Sequence, residues 1–235
     1  MKKRLILFTL FIVLIIALTA CKQEPAPEKE YKIGDIGPAG GIIFYDKGNK
    51  DGGWRYLEAA PADLRVVGGN PTVDADAEGY DAAPAGYLFG YYRKTADGSD
   101  LFVNGTTEYD GKDCTGTAIG TGKKNTDLLV NAMGDSAYAE YSGAKTRVDY
   151  AANLCLDLVY NEYDDWFLPS KDELNLMYTN LKEKGLGGFG YDYYYWSSSE
   201  NSNNTMRAWF QYFYTGSQRD YYRDYDYSVR PVRAF

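Results

Sequence analysis

The last part of this chain is unusually rich in tyrosine. Ten of the 24 tyrosines lie within residues 191–228, mixed with Asn, Asp, Ser, Arg and Gln, and aliphatic residues are almost absent there before Val229. Side chains along a β-strand point alternately to the two faces of a sheet, so a strand with one buried face alternates apolar and polar residues. A segment with tyrosine on both faces cannot bury all of it against one core. We therefore expect much of this tyrosine to be exposed.

A β-hairpin is predicted within this segment, with its turn near residues 215–217. The second arm, 219–227, has tyrosine on both faces and no clear apolar alternation. The first arm does alternate: one face carries Ala208, Phe210, Tyr212 and Tyr214, and the other carries Trp209, Gln211 and Phe213. A purely structural interpretation would bury a set of large apolar side chains, namely Trp196, Trp209, Phe213, Val229 and Val232.

Exposed tyrosine mixed with small polar residues is typical of a recognition surface. Tyrosine supplies a large, rigid contact area with a polar tip, and Ser, Asn and Asp supply adaptable hydrogen bonds, as in antibody loops. Arginine and tyrosine are also frequent at interface hot spots. The alternative is a structural sheet edge, because β-propensity alone enriches tyrosine and charged residues protect edges.

The first 20 residues have the layout of a secretory signal peptide. A basic start, Lys2 to Arg4, precedes an apolar stretch, 5–18, and small residues lead into Cys21. The sequence "LTAC" resembles the lipobox of bacterial lipoproteins, which implies cleavage before Cys21 and lipidation of that cysteine. An uncleaved membrane anchor is the alternative, although the apolar stretch is shorter than the ~20 residues that a span needs. By the same resemblance an Asp at position 22 would signal inner-membrane retention, and Lys22 gives no such signal, so we expect display on the outer membrane or cell surface.

The charge balance argues against nucleic acid as a partner. The whole chain carries −8, and the three basic residues before Cys21 contribute +3, so the mature part carries −11. It contains no run of Lys and Arg that would follow a phosphate backbone. Residues 21–30 are polar and contain two prolines, which predicts a short tether. Residues 31–235 then suit a single, monomeric domain with a core of its own.

The chain contains no histidine, which excludes several kinds of catalytic and metal site. Ser-His-Asp and Cys-His nucleophiles, His-ligated metals and H-E-x-x-H proteases all require it. Cys114 and Cys155 match no zinc pattern, and their spacing leaves open whether they form a disulfide. The glycine-rich stretch 116–127 fails the Walker A spacing and predicts a turn before a helix capped by Asn125 or Thr126. We expect neither a metal nor a cofactor.

The order of predicted elements is strands, helices, then strands, which indicates an α+β domain. A hairpin is predicted from 40–46 and 54–60, and residues 61–122 are predicted to be mostly loop. Helices are predicted at 126–134 and 144–161, the second with one apolar face. A capping box, Ser170 to Glu173, opens a third helix that ends at Gly185. The apolar face of the helix at 144–161 consists of Val148, Ala151, Ala152, Cys155, Leu158 and Val159.

Six motifs in order resemble the Lcl C-terminal family of bacterial surface domains. They are "GGIIFYDKG", "WRYLEAAP", "GTGKKNT", "DDWFLPSKDELNLMY", "YWSSSE" and "VRPVRAF", and they extend over roughly residues 31–235. The resemblance implies a single C-type-lectin-like domain with two to three helices and an irregular antiparallel sheet, and no enzymatic activity. The calcium-binding triplets E-P-N, Q-P-D and W-N-D are absent, so calcium-mediated sugar binding does not carry over.

Residues 191–228 also resemble the variable segment of proteins diversified by retroelements. There, random replacement of adenines turns an Asn codon into codons for Tyr, Asp, Ser or Arg. Residue types of this kind cluster at 193–194, 201–204, 211–212 and 217–226, whereas Trp196, Trp209, Gly216 and 229–235 look like a fixed scaffold.

We interpret the chain as a lipid-anchored protein that binds a protein or glycan ligand through this C-terminal face. A fixed-specificity adhesin for glycan or matrix is one alternative. A glycan-processing enzyme that uses a carboxylate pair such as Asp164 and Glu173 is another. The predicted ligand-binding residues are Tyr193, Asn201, Asn203, Asn204, Gln211, Tyr214, Arg219, Tyr221, Tyr222, Arg223 and Tyr225, with Cys21 as the lipidation site.

Overall fold

A computed structural model describes residues 29–77, 79, 85–90, 93–94, 100–101, 115–133, 150–190, 193–204 and 206–235. Residues 31–235 belong to one compact unit. The predicted signal peptide, Cys21 with most of the tether, and Cys114 lie outside the described residues. No helix in the described part of the chain is both long enough and apolar enough to span a membrane.

The described residues form three α-helices and several small antiparallel sheets, which confirms the α+β class. The C-type-lectin-like part of that prediction stays a prediction. Two single-turn 3₁₀ helices lie at Asp51–Gly53 and Lys182–Lys184. The helices are α1 (Gly122–Met133), α2 (Ala151–Leu156) and α3 (Lys171–Asn180), and the strands are β1 (Ile42–Asp46), β2 (Tyr56–Ala59), β3 (Arg65–Val67), β4 (Asn70–Thr72), β5 (Tyr87–Leu88), β6 (Arg93–Lys94), β7 (Asp100–Leu101), β8 (Tyr194–Glu200), β9 (Arg207–Tyr212), β10 (Ser217–Tyr222), β11 (Asp226–Tyr227) and β12 (Val232–Ala234).

One sheet, in the order β1-β2-β12, joins the predicted hairpin near the start of the domain to its last strand. Strand β12 carries the second arginine of "VRPVRAF". Arg233 lies directly opposite Glu58 of β2 and donates a hydrogen bond of 3.0 Å to its carboxylate. Burial raises the pKa of Glu58, and the Arg233 guanidinium acts in the opposite direction.

The first arginine of the same motif is also buried. Arg230 is 1% exposed and donates to the Asp63 carboxylate at 2.7 Å, and Tyr195 donates to the other oxygen of that carboxylate at 2.9 Å. Its guanidinium also donates to the carbonyl oxygens of Ala60 and Gly187. Buried charges are tolerated when they are paired and hydrogen-bonded in this way. The two arginines therefore connect the end of the chain to carboxylates from its first half.

Helix α3 begins with the predicted capping box. Ser170 accepts a hydrogen bond from the Glu173 amide, and the Glu173 carboxylate accepts one from the Ser170 amide at 2.7 Å. The same carboxylate accepts from the Gly120 amide at 2.7 Å and so also fixes the loop before α1. Burial raises the pKa of Glu173 although the backbone amides favour its charged form.

Helix α1 begins at Gly122, earlier than predicted, and the two predicted caps have other roles. The Asn125 side chain accepts from the Gly116 amide at 2.9 Å and donates to the Ser198 hydroxyl at 3.1 Å. The Thr126 hydroxyl accepts from the Leu168 amide at 3.0 Å. Both side chains are buried and join α1 to neighbouring segments. The capping prediction was wrong because these polar groups bond across the fold.

Helix α2 is shorter than predicted, and residues 144–149 of the predicted helix, including Val148, lie outside the described residues. Its apolar face is confirmed where it is described, because Ala151, Ala152, Cys155 and Leu158 are buried. Val159, in contrast, is 65% exposed, since the chain leaves the helix after Leu156 and the helical register no longer applies. Cys155 is buried and forms no disulfide within the described part of the chain.

A second sheet, in the order β10-β9-β8, contains the predicted tyrosine-rich hairpin. Its turn follows Tyr212 and includes Gly216, whose φ of +75° favours glycine. A Cβ atom at Gly216 would lie 2.4 Å from a ring carbon of Tyr178 in α3. The hairpin tip therefore packs closely against that helix.

The buried side chains form two clusters. Trp196 and Val229 belong to the cluster that includes α2 and part of α1, and Phe213 and Val232 belong to the cluster between the first sheet and α3. These four residues are buried, as the structural interpretation required. Trp209 is only half-buried, and the Lys171 ammonium lies 3.8 Å from its ring centre.

Candidate functional site

The two faces of the second sheet have different surroundings. The face with Gln211 and Phe213 packs on α3: the Gln211 amide donates to Asn175 at 2.9 Å, and the Phe213 ring lies 5.5 Å from that of Tyr178. On the other face, Ala208 and Phe210 are buried but the surface opens toward the hairpin tip. The alternation predicted from the first arm is therefore confirmed, with core contacts on both faces.

A cleft of about 400 Å³ lies on the open part of this face. The register places Tyr194 of β8 opposite Tyr212 of β9, and Arg219 of β10 opposite Phe210. Directly paired residues point to the same face, so three neighbouring strands supply the cleft side by side. We call this site the tyrosine cleft, and its lining is Tyr194, Phe210, Tyr212, Thr215, Ser217, Arg219, Asp220, Tyr221 and Tyr227.

The aromatic rings of the tyrosine cleft hold one another in place. Tyr194 and Tyr212 are stacked, with ring centres 4.5 Å apart and an angle of 18° between planes. Tyr227 lies 5.2 Å from Tyr194 and 4.8 Å from Phe210. Rings at these separations attract each other beyond simple burial. The walls of the cleft are therefore largely preformed.

The base of the cleft rests on the hydrophobic core. The Tyr227 ring lies 4.5 Å from that of Trp196, whose indole N–H donates to the Tyr87 carbonyl oxygen at 2.9 Å. Burial, together with the neighbouring tyrosines, raises the pKa of Tyr227 to about 12. Tyr227 therefore stays a neutral phenol at physiological pH.

Three exposed tyrosines lie around the cleft. Tyr214 is 49% exposed and its ring lies 5.8 Å from that of Tyr212. Tyr225 is 47% exposed and packs edge-on against Tyr221 at 4.5 Å. The hydrogen bond to Tyr221 raises the pKa of Tyr225. Tyr222 is 36% exposed and extends this aromatic surface along β10.

Arg219 carries the unpaired charge of the cleft. Its side chain is exposed, and within the described part of the chain it forms neither an ion pair nor a hydrogen bond. Asp220, the neighbouring acid, accepts a hydrogen bond from Arg207 at 3.2 Å. Arg207 also lies over the Tyr222 ring, 4.9 Å from its centre. Arg219 is thus available to a ligand, whereas the charge of Asp220 is already balanced.

Two predicted binding residues are buried, so their predicted exposure was wrong. Gln211 has no exposed surface, and its amide donates to Asn175 and to the Gly216 carbonyl oxygen. Arg223 is 3% exposed and forms an ion pair with Glu200. Both were assigned to the surface from residue type. The fold uses them instead to attach the hairpin to α3 and to the end of β8.

Other predicted residues lie away from the cleft, and of these Asn203 and Asn204 are exposed. Asn201, Asn203 and Asn204 belong to the β8–β9 connection, at the end of the sheet opposite the hairpin turn. Asn201 accepts from the Asn203 amide at 2.7 Å, and Asn204 accepts from the Met206 amide at 3.0 Å, so both side chains stabilise the loop itself. Tyr193 is half-buried in the cluster next to α3.

The structure thus brings together only part of the predicted site. Arg219 and Tyr221 line the cleft, and Tyr214, Tyr222 and Tyr225 border it. The prediction missed lining residues on β8 and β9 and in β11. The alternation of β8 and β9 was the signal that could have found Tyr194, Phe210 and Tyr212, whereas Tyr227 of β11 has no such signal.

A smaller cavity of about 290 Å³ lies near the start of α1, with Trp54, Phe167 and Lys124 in its lining. Glu173 contributes to this cavity but has no exposed surface, and its oxygens accept backbone hydrogen bonds. Asp164, its proposed catalytic partner, is an exposed residue. No group of three acidic or cysteine side chains that could hold a metal ion occurs among the residues described.

Comparison with protein families gives a match that includes the whole lining of the tyrosine cleft. The model of the Lcl C-terminal domain family matches residues 119–233. Residues 119–233 are an Lcl C-terminal domain. The Lcl C-terminal domain is a bacterial surface domain of unknown function, and the resemblance drawn from the motifs is confirmed over this range. A search of curated protein sequences found no match.

The Lcl C-terminal domain match begins just before α1 and continues into β12. It therefore includes all three helices and the second sheet, whereas β1 and β2 precede it. Strand β12 nevertheless pairs with β2, and the buried pairs of Arg230 and Arg233 reach Asp63 and Glu58 outside the matched range. The folded unit is accordingly larger than the matched segment.

Proposed function

We propose that this protein binds a protein or glycan ligand at the cell surface through the tyrosine cleft and the exposed tyrosines around it. The observation that carries the proposal is a preformed cleft of about 400 Å³ with five aromatic side chains and Arg219, which is unpaired among the described residues. Clefts of this size that combine aromatic walls with a few polar groups are common ligand sites. Rigid rings also lose little conformational freedom on binding, which favours affinity.

The proposed setting is the bacterial envelope. Cleavage before Cys21 and lipidation of that residue would anchor the mature chain by its N-terminus, and residues 21–30 would serve as a tether. The "LTAC" sequence and the Lcl C-terminal domain support this setting. The lipid is the proposed contact with the membrane, and we expect a monomeric domain with no nucleic-acid partner and no enzymatic reaction.

The proposal is tested by a binding screen on the full chain in detergent. The probes are a glycan array and immobilised collagen, fibronectin and laminin. Two site variants, Arg219→Ala and the double variant Tyr222→Ala/Tyr225→Ala, are compared with Tyr45→Ala, which changes a half-exposed tyrosine of the other sheet. We expect the site variants to weaken binding to whichever probe is captured, and the control to leave it unchanged. Equal binding by all four proteins would contradict the proposal.

We further propose that the exposed positions of 191–228 are diversified by a retroelement. The buried and exposed residues of the segment support this idea: Trp196 is buried and Gly216 has a positive φ, whereas Asn203, Asn204 and Tyr225 are exposed. Substitution at exposed positions alters a surface at little cost in stability. Buried Gln211 and Arg223 are the exceptions within the segment.

Deep sequencing of the gene in a population grown from one cell distinguishes diversification from a fixed specificity. Substitutions that concentrate at the exposed codons, at positions that are adenine in a template copy, would support diversification. An invariant segment would instead favour the fixed-specificity adhesin and leave the ligand-binding proposal intact.

A further inference from the structure

The chemical character of the tyrosine cleft narrows the class of ligand. Its lining combines five aromatic rings with two hydroxyl side chains, one arginine and one aspartate, and contains no aliphatic side chain. Building on the proposed function, we propose that the cleft holds one or two pyranose rings of a glycan that is neutral or carries a single carboxylate.

The aromatic walls suit the C–H face of a pyranose ring. One face of many pyranoses presents several C–H bonds, whose partial positive charge complements the electron-rich face of an aromatic ring. Tyr194, Tyr212 and Tyr227 are fixed by mutual contacts of 4.5 Å and 5.2 Å, so they form flat surfaces that need no rearrangement. A cleft of about 400 Å³ is large enough for one or two such rings.

Polar groups at the edge of the cleft suit the hydroxyls of the same ring. Thr215 and Ser217 lie at the hairpin turn, and their hydroxyl groups are 2.9 Å apart. Arg219 adds a planar guanidinium with several donors and, among the described residues, no partner of its own. A sugar can form hydrogen bonds with both the hydroxyl groups and the guanidinium, because its own hydroxyls donate and accept hydrogen bonds.

The charges around the cleft disfavour a polyanion. Asp224 and Asp226 are exposed beyond the end of β10, and the mature chain carries −11. Arg219 is the cation in the lining, whereas Arg207 pairs with Asp220. One guanidinium can balance one carboxylate, but a polysulfated chain would meet repulsion from the neighbouring aspartates.

The same lining is less suited to a peptide. Peptide anchors such as Leu or Phe are held in enclosed apolar pockets in which aliphatic side chains surround them. Here the apolar surface consists of aromatic rings without aliphatic side chains, and polar side chains share the lining. Proline-rich segments can also dock on aromatic grooves, so a proline-rich peptide is the appropriate competitor in the test.

The experiment is saturation-transfer-difference NMR and calorimetry on the full chain in detergent. The probes are cellobiose, lactose, N,N′-diacetylchitobiose, cellobiouronic acid, a sulfated heparin disaccharide and a proline-rich peptide. We expect at least one of the first four to bind, with transfer strongest at its ring C–H protons. We expect Arg219→Ala and Tyr212→Ala each to weaken that binding by about tenfold, and Tyr45→Ala to leave it unchanged.

The controls distinguish failure of the pyranose inference from failure of the ligand-binding proposal on which it rests. Near-ultraviolet circular dichroism checks that Tyr212→Ala is folded, and exposed Arg219 provides a variant that does not depend on packing. Binding of the peptide or the heparin disaccharide alone, lost in Arg219→Ala, would overturn the pyranose inference and leave the ligand-binding proposal standing. Binding of any probe with equal strength to the wild type and both cleft variants would overturn both. Failure of all six probes would overturn the pyranose inference, and the matrix-protein screen would then decide the ligand-binding proposal.

Discussion

Residues 217–227 and 229–235 each contain two arginines, but both arginines of the second stretch are buried whereas Arg219 of the first is exposed. In the first stretch, Arg219 is exposed and has no ion pair among the described residues. In the second, Arg230 and Arg233 are buried against carboxylates that lie more than 150 residues earlier in the chain. The difference lies in the supply of partners. An arginine that forms an ion pair with a buried carboxylate is itself buried. An arginine without such a partner stays exposed and available to a ligand.

The largest effect that we expect comes from breaking a buried pair of the second stretch. Arg230→Ala would leave the Asp63 carboxylate buried without its cation, which costs about 3–5 kcal/mol of unfolding free energy. Urea denaturation measures this change. The matched control is Arg219→Ala, for which we expect a change within about 0.5 kcal/mol. Comparable losses in the two variants would remove the contrast between the two stretches.

Arg223 lies in the first stretch but is buried in an ion pair like the arginines of the second. It therefore tests whether the environment or the position in the chain determines the effect on stability. Arg223→Ala would strand the buried Glu200 carboxylate and cost about 3 kcal/mol, toward the lower end for such pairs. One guanidinium nitrogen of Arg223 already lacks a partner among the described residues, so less is lost than at Arg230. If denaturation instead gives a value near that of Arg219→Ala, Arg223 belongs to the binding surface after all.

Alkaline pH tests the base of the tyrosine cleft. The pKa of Tyr227 is about 12 in the folded chain, against an ordinary value of ~10 for an unfolded tyrosine. The neutral phenol is therefore favoured by folding, and its contribution to stability is complete below pH ~10 and lost as the pH rises toward ~12. Absorbance at the phenolate band should show one tyrosine fewer titrating above pH ~11 in Tyr227→Phe. A titration curve that is unchanged above pH ~11, with the missing tyrosine lost near pH ~10 instead, would mean that Tyr227 is not shielded from water.

A small effect on stability is expected at the outermost tyrosines. Tyr222→Ala/Tyr225→Ala should lower the free energy of unfolding by less than about 1 kcal/mol, because both side chains are partly exposed and both rings pack against the Tyr221 ring rather than in the core. Calorimetric melting measures this. Tyr221 is left unchanged because its ring packs against the core cluster. A fall in stability as large as that of Arg230→Ala would make these tyrosines part of the core.

Local signals in the sequence predicted the elements, and long-range pairing decided the rest. The capping box at Ser170, the turn at Gly216 and the alternation of β9 depend on neighbouring residues and are confirmed. The buried state of Gln211 and Arg223 depends on Asn175 and Glu200, which no local pattern identifies. The predicted burial of Val159 was wrong because the helix ends at Leu156, before the apolar pattern of the sequence ends.

The candidate site shows the same division between local signals and long-range pairing. Composition indicated a tyrosine-rich surface, and two of its exposed members, Tyr222 and Tyr225, were identified from the absence of apolar alternation in the second arm. The cleft itself depends on strand register, which aligns Tyr194 with Tyr212. It also depends on Tyr227, which arrives from a strand paired elsewhere, with β5. Neither the alignment of Tyr194 with Tyr212 nor the position of Tyr227 follows from a local pattern in a single sequence.

The contact between Gly216 and Tyr178 has a mechanical consequence. The hairpin tip abuts α3, and Gln211 bonds the same helix, so the outer wall of the cleft is braced along its length. A pull on a ligand seated there would load the hairpin and α3 together, and the hairpin could not peel away by itself. We expect a side chain at position 216 to push the tip off the helix and to lower the force at which a bound ligand is torn from the surface.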